Sequence, residues 1–209
     1  MMKDKFIYDS LYKKDKAPWT SNDIPTELSN LIKDKIILPC NALDIGCGEG
    51  HYPIYLASNG FKVTGIDISK EAINRAKQNA KNAKVSCKFL VMDYKNLNEL
   101  KDKFGFILDW RFLHGIIKEA DRKTYVRIIN NILNEGGKYL SVSFSDQTKC
   151  WGYGKIRKTP VGTLCYFASK EKLEKLFRPH FKILDEKIIQ LSSNKEEKVF
   201  ANYFLMEKL

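Results

Sequence analysis

The 209-residue chain has no apolar run approaching the roughly 20 residues that span a bilayer. Its opening residues, Met1-Met2-Lys3-Asp4-Lys5, lack the apolar stretch of a secretory signal. Neither a membrane partner nor export is therefore expected, and the cytosol is the default compartment. Histidine and cysteine are scarce, with three and five residues respectively. Cys40, Cys47, Cys87, Cys150 and Cys165 are odd in number and widely spaced, without a C-x-x-C pair, which argues against a disulfide framework or a zinc site. His51, His114 and His180 stand apart as well, so no metal is expected. No internal repeat and no low-complexity linker divides the sequence.

What is present is ordinary for a globular protein: 44% apolar and 29% charged residues. The length fits one domain over residues 1–209, with an N-terminal segment (1–38) ahead of a core (39–209). The formal net charge of +11 raises nucleic acid as a partner. However, 30 of the 36 basic residues are lysines scattered among acids, as on a solvated surface, so the charge argues for nucleic acid only as a rival. Nothing in the sequence fixes an oligomeric state.

Short apolar runs alternate with segments of helical period, the pattern of an α/β fold with a largely parallel sheet. Strands are expected at 42–45, 61–67, 85–92, 104–110 and 138–144. Helices are expected over 54–59 and from Ser69, a good N-cap with Ala72, Ile73, Ala76 and Ala80 on one face. A further helix carries Tyr125, Val126, Ile129, Ile132 and Leu133 and is closed by Gly136-Gly137. Ser169 caps another, with Leu173, Leu176 and Phe177 inward and Pro179 as the stop. Two strands, 181–191 and 199–206, flank the polar residues 192–198 and should pair as an antiparallel hairpin. Residues 1–23 and 146–166 show no clear period, and their aromatics favour packing against something.

The strongest signal is Leu43-Asp44-Ile45-Gly46-Cys47-Gly48-Glu49-Gly50, a strand running into a glycine-rich turn before a helix. Glycines allow close approach of a ligand to the backbone and positive φ without a Cβ clash. In open α/β sheets ligands bind at the carboxyl ends of strands, and Asp67 ends the second strand where an acid commonly takes ribose hydroxyls. The glycines alone suit a dinucleotide or an adenosyl cofactor. A dinucleotide fingerprint places a small residue at position 51, which here is His51, and Asp44 suits a cationic ligand better than a pyrophosphate.

Residues 43–50 resemble the first motif of the class I S-adenosylmethionine-dependent methyltransferases, and the likeness extends from about Ile24 to the C-terminus. The resemblance implies a seven-stranded, mostly parallel Rossmann-like sheet with helices on both faces and an antiparallel terminal hairpin. It implies S-adenosylmethionine as cofactor and a small-molecule methyl acceptor. Gly46, Cys47 and Gly48 would then act through their backbone, Asp67 would bind the ribose, Ile68 would lie beside the adenine, and Met92-Asp93 would meet the adenine amino group. Asp109, before Trp110, would face the methionine end and the substrate. Ala17-Pro18-Trp19 is similar to the thiopurine and tellurite-detoxifying branch, which makes Trp19 a candidate lid over the cofactor.

His114, in Phe112-Leu113-His114-Gly115-Ile116, is a candidate general base, or else a histidine satisfied within a packed loop. Asp93 also suits a turn cap, and Asp109 a surface pair with Arg111. Lys149, Lys155, Arg157 and Lys158 suit an anionic substrate or a solvated loop. Cys47 fits by its size, since no adjacent base activates it. Three rivals remain. A nucleic-acid or protein methyltransferase fits the charge, but Asp109-Trp110-Arg111-Phe112 is not the Pro-Pro-aromatic stretch of amino-group enzymes, and Pro39-Cys40 precedes the first strand. An NAD(P)-dependent reductase fits Tyr166-x-x-x-Lys170 alone. The third is a non-catalytic adenosyl-binding module.

Overall fold

A computed structural model describes residues 2–20, 23–191 and 198–209. The chain forms two compact units, Met1–Ile107 and Leu108–Leu209. The first contains helices α1 (Met2–Lys13) and α2 (Thr26–Lys33), then strand β1 (Asn41–Ile45), helix α3 (His51–Ser58), strand β2 (Lys62–Asp67), helix α4 (Lys70–Asn82) and strand β3 (Cys87–Val91). β1, β2 and β3 pair in parallel, Asp44 opposite Gly65 and Asp67 opposite Val91. α4 is built as its sequence suggests: Ser69 Oγ accepts from Ala72 N, and Ala72, Ile73, Ala76 and Ala80 are buried. α1 is a helix in a stretch without an evident period. Its only fully sequestered side chain among those described is Tyr12, too little to write a pattern.

Strand β4 (Phe104–Trp110) leads into the second unit, which holds helix α5 (Glu119–Ile132), strand β5 (Leu133–Phe144), the short strands β6 (Ile156–Lys158) and β7 (Leu164–Tyr166), helix α6 (Lys170–Phe177), and strands β8 (Phe181–Gln190) and β9 (Phe200–Lys208). β5 pairs antiparallel with β9, and β9 with β8, which makes the expected terminal hairpin; residues 192–197 lie outside the described chain. Seven strands make one sheet in the order β3-β2-β1-β4-β5-β9-β8, the mostly parallel Rossmann-like sheet anticipated from the sequence.

Several boundaries differ from expectation. α3 begins at His51, because Gly50 at φ 83° turns the chain directly into it. α5 ends at Ile132, and Leu133 is already extended, so Gly136-Gly137 lie within β5, with Gly136 at φ 67° in its exposed start. Residues 156–166 are a second, two-stranded sheet instead of a loop. Each strand is three residues long, below what an alternation can reveal.

Candidate cofactor turn and acceptor-side residues

In the first unit, β1 delivers Asp44, buried to 1% exposure, and then the turn. Gly46, Gly48 and Gly50 have φ of 73°, 52° and 83°, a left-handed series that side chains resist. The amides of Gly46 and Cys47 both donate to Ile66 O at 2.9 Å, which fastens the turn to β2. Asp67, at the end of β2, lies across it: Oδ2 accepts from Gly48 N at 3.0 Å and Oδ1 from Ser69 N at 2.8 Å. Burial lifts the Asp67 carboxyl to about 6, against the lowering effect of these amides. Ile68 follows, partly buried, and Met92 N donates to Asp67 O at 2.9 Å. Asp93 then caps a 3-10 turn (Tyr94–Glu99) by accepting from Lys95 N at 3.0 Å. Cys47 is buried and its thiol is pushed well above the ordinary range, first by burial and then by Asp44 and Asp67. A Cβ on Gly65 would come within 2.9 Å of its Sγ, so the glycine of β2 leaves room for the thiol.

Two contributors escaped the sequence reading. Tyr12 of α1 places its hydroxyl over the turn, 2.8 Å from where a Cβ on Gly48 would stand, and accepts there from Trp19 Nε1 at 2.7 Å. The structure thus brings Trp19 to the glycine turn through Tyr12. Arg75 of α4 fastens this arrangement by donating to Tyr12 O, to Asp15 Oδ1 and to Glu49 Oε1. Asp9 accepts from Ser69 Oγ and from Glu71 N, which moors α1 at the start of α4.

In the second unit, Asp109 is fully buried and takes four donors. Phe112 N (3.0 Å) and Leu113 N (3.1 Å) reach Oδ1, while Tyr125 Oη (2.8 Å) and Tyr139 Oη (3.0 Å) reach Oδ2. Burial outweighs these donors and lifts its carboxyl to about 6. Of these four donors, Phe112 N and Leu113 N belong to the turn that carries His114.

His114 stacks on Phe144 (centroids 3.9 Å, 14° between planes), which stacks on Phe167 (5.1 Å, 14°). Trp151 meets Phe144 edge-on at 5.4 Å, held at φ 64°. His114 Nδ1 and Trp151 Nε1 are buried without a hydrogen-bond partner among the described residues. Burial, then the nearby Arg111 charge, lowers His114 to about 3, so the imidazole is neutral. Tyr166 and Lys170 do not form a reductase pair. Tyr166 lies under the Arg122 guanidinium at 3.6 Å, and Lys170 Nζ is bound to Glu186 at 2.7 Å.

The first unit fits an adenosyl cofactor on its own geometry: a turn whose left-handed glycines keep Cβ atoms away and a partly exposed strand-end carboxylate beside it. Fold and turn together define the class I S-adenosylmethionine-dependent methyltransferases. Residues 42–137 match the family model described as a methyltransferase domain. An uncharacterised methyltransferase of Schizosaccharomyces pombe is 34% identical over 109 residues, 52% of this chain and 74% of that protein. The chain belongs to the methyltransferases. The human protein named EEF1A lysine methyltransferase 2 is 33% identical over 122 residues, 53% of this chain and 50% of its own. The fold is shared with the Burkholderia thailandensis 1,6-didemethyltoxoflavin-N1-methyltransferase, solved with its acceptor and S-adenosylhomocysteine. That structure has a TM-score of 0.77 at 20% identity, covering 99% of this chain and 87% of the other.

Proposed function

We propose that this methyltransferase moves a methyl group from S-adenosylmethionine to a planar, aromatic small molecule. The observation that carries this reading is the stack of His114, Phe144 and Phe167, with two unpartnered ring nitrogens, His114 Nδ1 and Trp151 Nε1, buried at its edge. Aromatic rings accompanied by a few polar atoms suit a flat ligand with a few polar atoms, since stacking supplies contact and the nitrogens supply orientation. The Burkholderia enzyme, whose acceptor is named as 1,6-didemethyltoxoflavin, lends support from the shared fold.

When bound, the sulfonium cofactor supplies an electrophilic methyl group, so the chain's task is chiefly alignment. We assign the cofactor to Gly46, Cys47 and Gly48 through their backbone, with Asp44 as the carboxylate suited to its positive charge. Asp67 accepts from the ribose hydroxyls, Ile68 and Met92 flank the adenine, Asp93 accepts from its amino group, and Trp19 closes over the turn with Tyr12. His114 serves as a neutral hydrogen-bonding partner for the acceptor. With its pKa near 3 it is a weak proton acceptor, so its part is orientation ahead of base strength. Asp109 is a positioning residue, since it holds Phe112 N and Leu113 N and thereby the turn bearing His114.

A protein acceptor is the second reading, favoured by the likeness to the human lysine methyltransferase. Incubation with tritium-methyl S-adenosylmethionine and either a panel of hydroxylated and nitrogen-containing aromatics or a soluble cell extract separates the two. Label in the organic phase, lost in Trp151→Ala, supports the small acceptor. Label confined to a protein band overturns it.

A further inference from the structure

The β6–β7 hairpin plays no part in the chemistry above, and it buries an arginine while exposing two aliphatic side chains. In an ordinary surface hairpin the apolar side chains point inward and the polar ones outward. Here Arg157 is buried, whereas Ile156 is 49% exposed and Leu164 51%. The register sets Ile156 opposite Tyr166 and Lys158 opposite Leu164, which places Ile156, Lys158 and Leu164 on one face, with Tyr166 at its inner end buried under Arg122. Tyr153, at the crest of the preceding loop, is 97% exposed between Gly152 (φ 91°) and Gly154 (φ 84°). From Gln147 to Lys170 the sequence has no Asp or Glu, while Lys149, Lys155 and Lys158 are exposed around the apolar tip.

This tip is braced. Arg157 donates from Nε to Gly154 O at 2.9 Å and from Nη1 to Thr148 O and Cys150 O, and its guanidinium lies 4.1 Å over the Phe167 ring. The far end is closed by a turn with Pro160 at its second position, Gly162 N donating to Thr159 O at 2.9 Å. Thr159 and Thr163 share a hydroxyl hydrogen bond of 2.7 Å across it. The buried arginine thus takes the inward position that an apolar residue would hold, and the aliphatic side chains are presented outward on a fixed frame.

We infer that the 149–164 hairpin is a peripheral docking surface for an anionic phospholipid bilayer, with Tyr153, Ile156 and Leu164 entering the headgroup boundary and Lys149, Lys155 and Lys158 meeting the lipid charge. A tyrosine with aliphatic neighbours and a rim of lysines is the composition that lies in a bilayer interface. Each lysine near an anionic surface adds attraction. The aliphatic crest distinguishes this from a nucleic-acid surface. Phosphate contacts are made by charge and hydrogen-bond donors, and the one arginine of the hairpin is turned inward. Protein interfaces, by contrast, are depleted of lysine. The expectation of no membrane partner rested on the lack of a spanning segment, which an interfacial tip does not require.

The test uses the full chain in flotation with vesicles of phosphatidylcholine alone or with one third phosphatidylglycerol. Wild type is expected to bind the anionic vesicles at least ~10-fold more tightly and to be released at about 0.5 M salt, where charges are screened. Lys149→Gln/Lys155→Gln/Lys158→Gln should cost roughly 100-fold. Tyr153→Ser/Ile156→Ser/Leu164→Ser should cost about 10-fold at unchanged charge. Titration with S-adenosylhomocysteine confirms that each variant is folded. Three outcomes overturn the inference: no vesicle binding by wild type, vesicle binding indifferent to the aliphatic substitutions, or tighter binding to a single-stranded oligodeoxynucleotide that disappears in the lysine variant.

Discussion

Two carboxylates, one in each unit, stand at strand ends and look alike in sequence, yet they differ in what reaches them. Asp67 and Asp109 are both lifted to about 6 by burial. Asp67 is partly exposed and accepts from two backbone amides beside it, Gly48 N and Ser69 N. Asp109 is enclosed, and adds two tyrosine hydroxyls to two amides. Under the proposed assignment, the position at a strand end therefore does not separate a binding carboxylate from a structural one. The supply of donors does: a group already saturated by its own fold has little left to offer a ligand.

The largest expected effect breaks the structural side of this pair. Asp109→Ala leaves two buried hydroxyls and two amides without their acceptor, and should cost about 3–4 kcal/mol, or roughly 10 °C in Tm by calorimetry. Next, Asp67→Ala should weaken S-adenosylhomocysteine about 100-fold through lost charge-assisted hydrogen bonds, with stability changed by about 1 kcal/mol or less in chemical denaturation. A smaller effect comes from acid. On the proposed assignment the ligand's hydroxyls donate to the ionised Asp67, whose carboxyl is lifted to about 6, so affinity should be full above that pH and fall as pH drops through it. Isothermal titration at pH 5 and 7.5 should differ by about 10-fold, and Asp67→Asn should flatten the difference. The smallest is Tyr12→Phe, which removes the acceptor of Trp19 Nε1 beside Gly48. Stopped-flow release of S-adenosylhomocysteine should quicken roughly 5-fold, the worth of one neutral hydrogen bond.

The same contrast explains what the sequence disclosed. The glycine turn, Asp67 and the Ser69 cap are local, with cause and effect within a few residues, and the structure has them where the spacing put them. The donors of Asp109 include Tyr125 and Tyr139, 16 and 30 residues away, so no local pattern announces that its carboxylate is spent. Tyr12 was hidden for a related reason: its partners Gly48 and Arg75 are distant in sequence, and its helix buries too little to show a period. The β6–β7 hairpin was missed because each of its strands is only three residues long, too short for an alternation to show.

The most direct test is calorimetric titration of S-adenosylhomocysteine into the wild type, Asp67→Ala and Asp109→Asn at pH 7.5, with folding of each verified. The account predicts a loss of about 100-fold for Asp67→Ala and a change within roughly 3-fold for Asp109→Asn. Equal losses, or a greater loss at Asp109, would contradict it and return Asp109 to the cofactor.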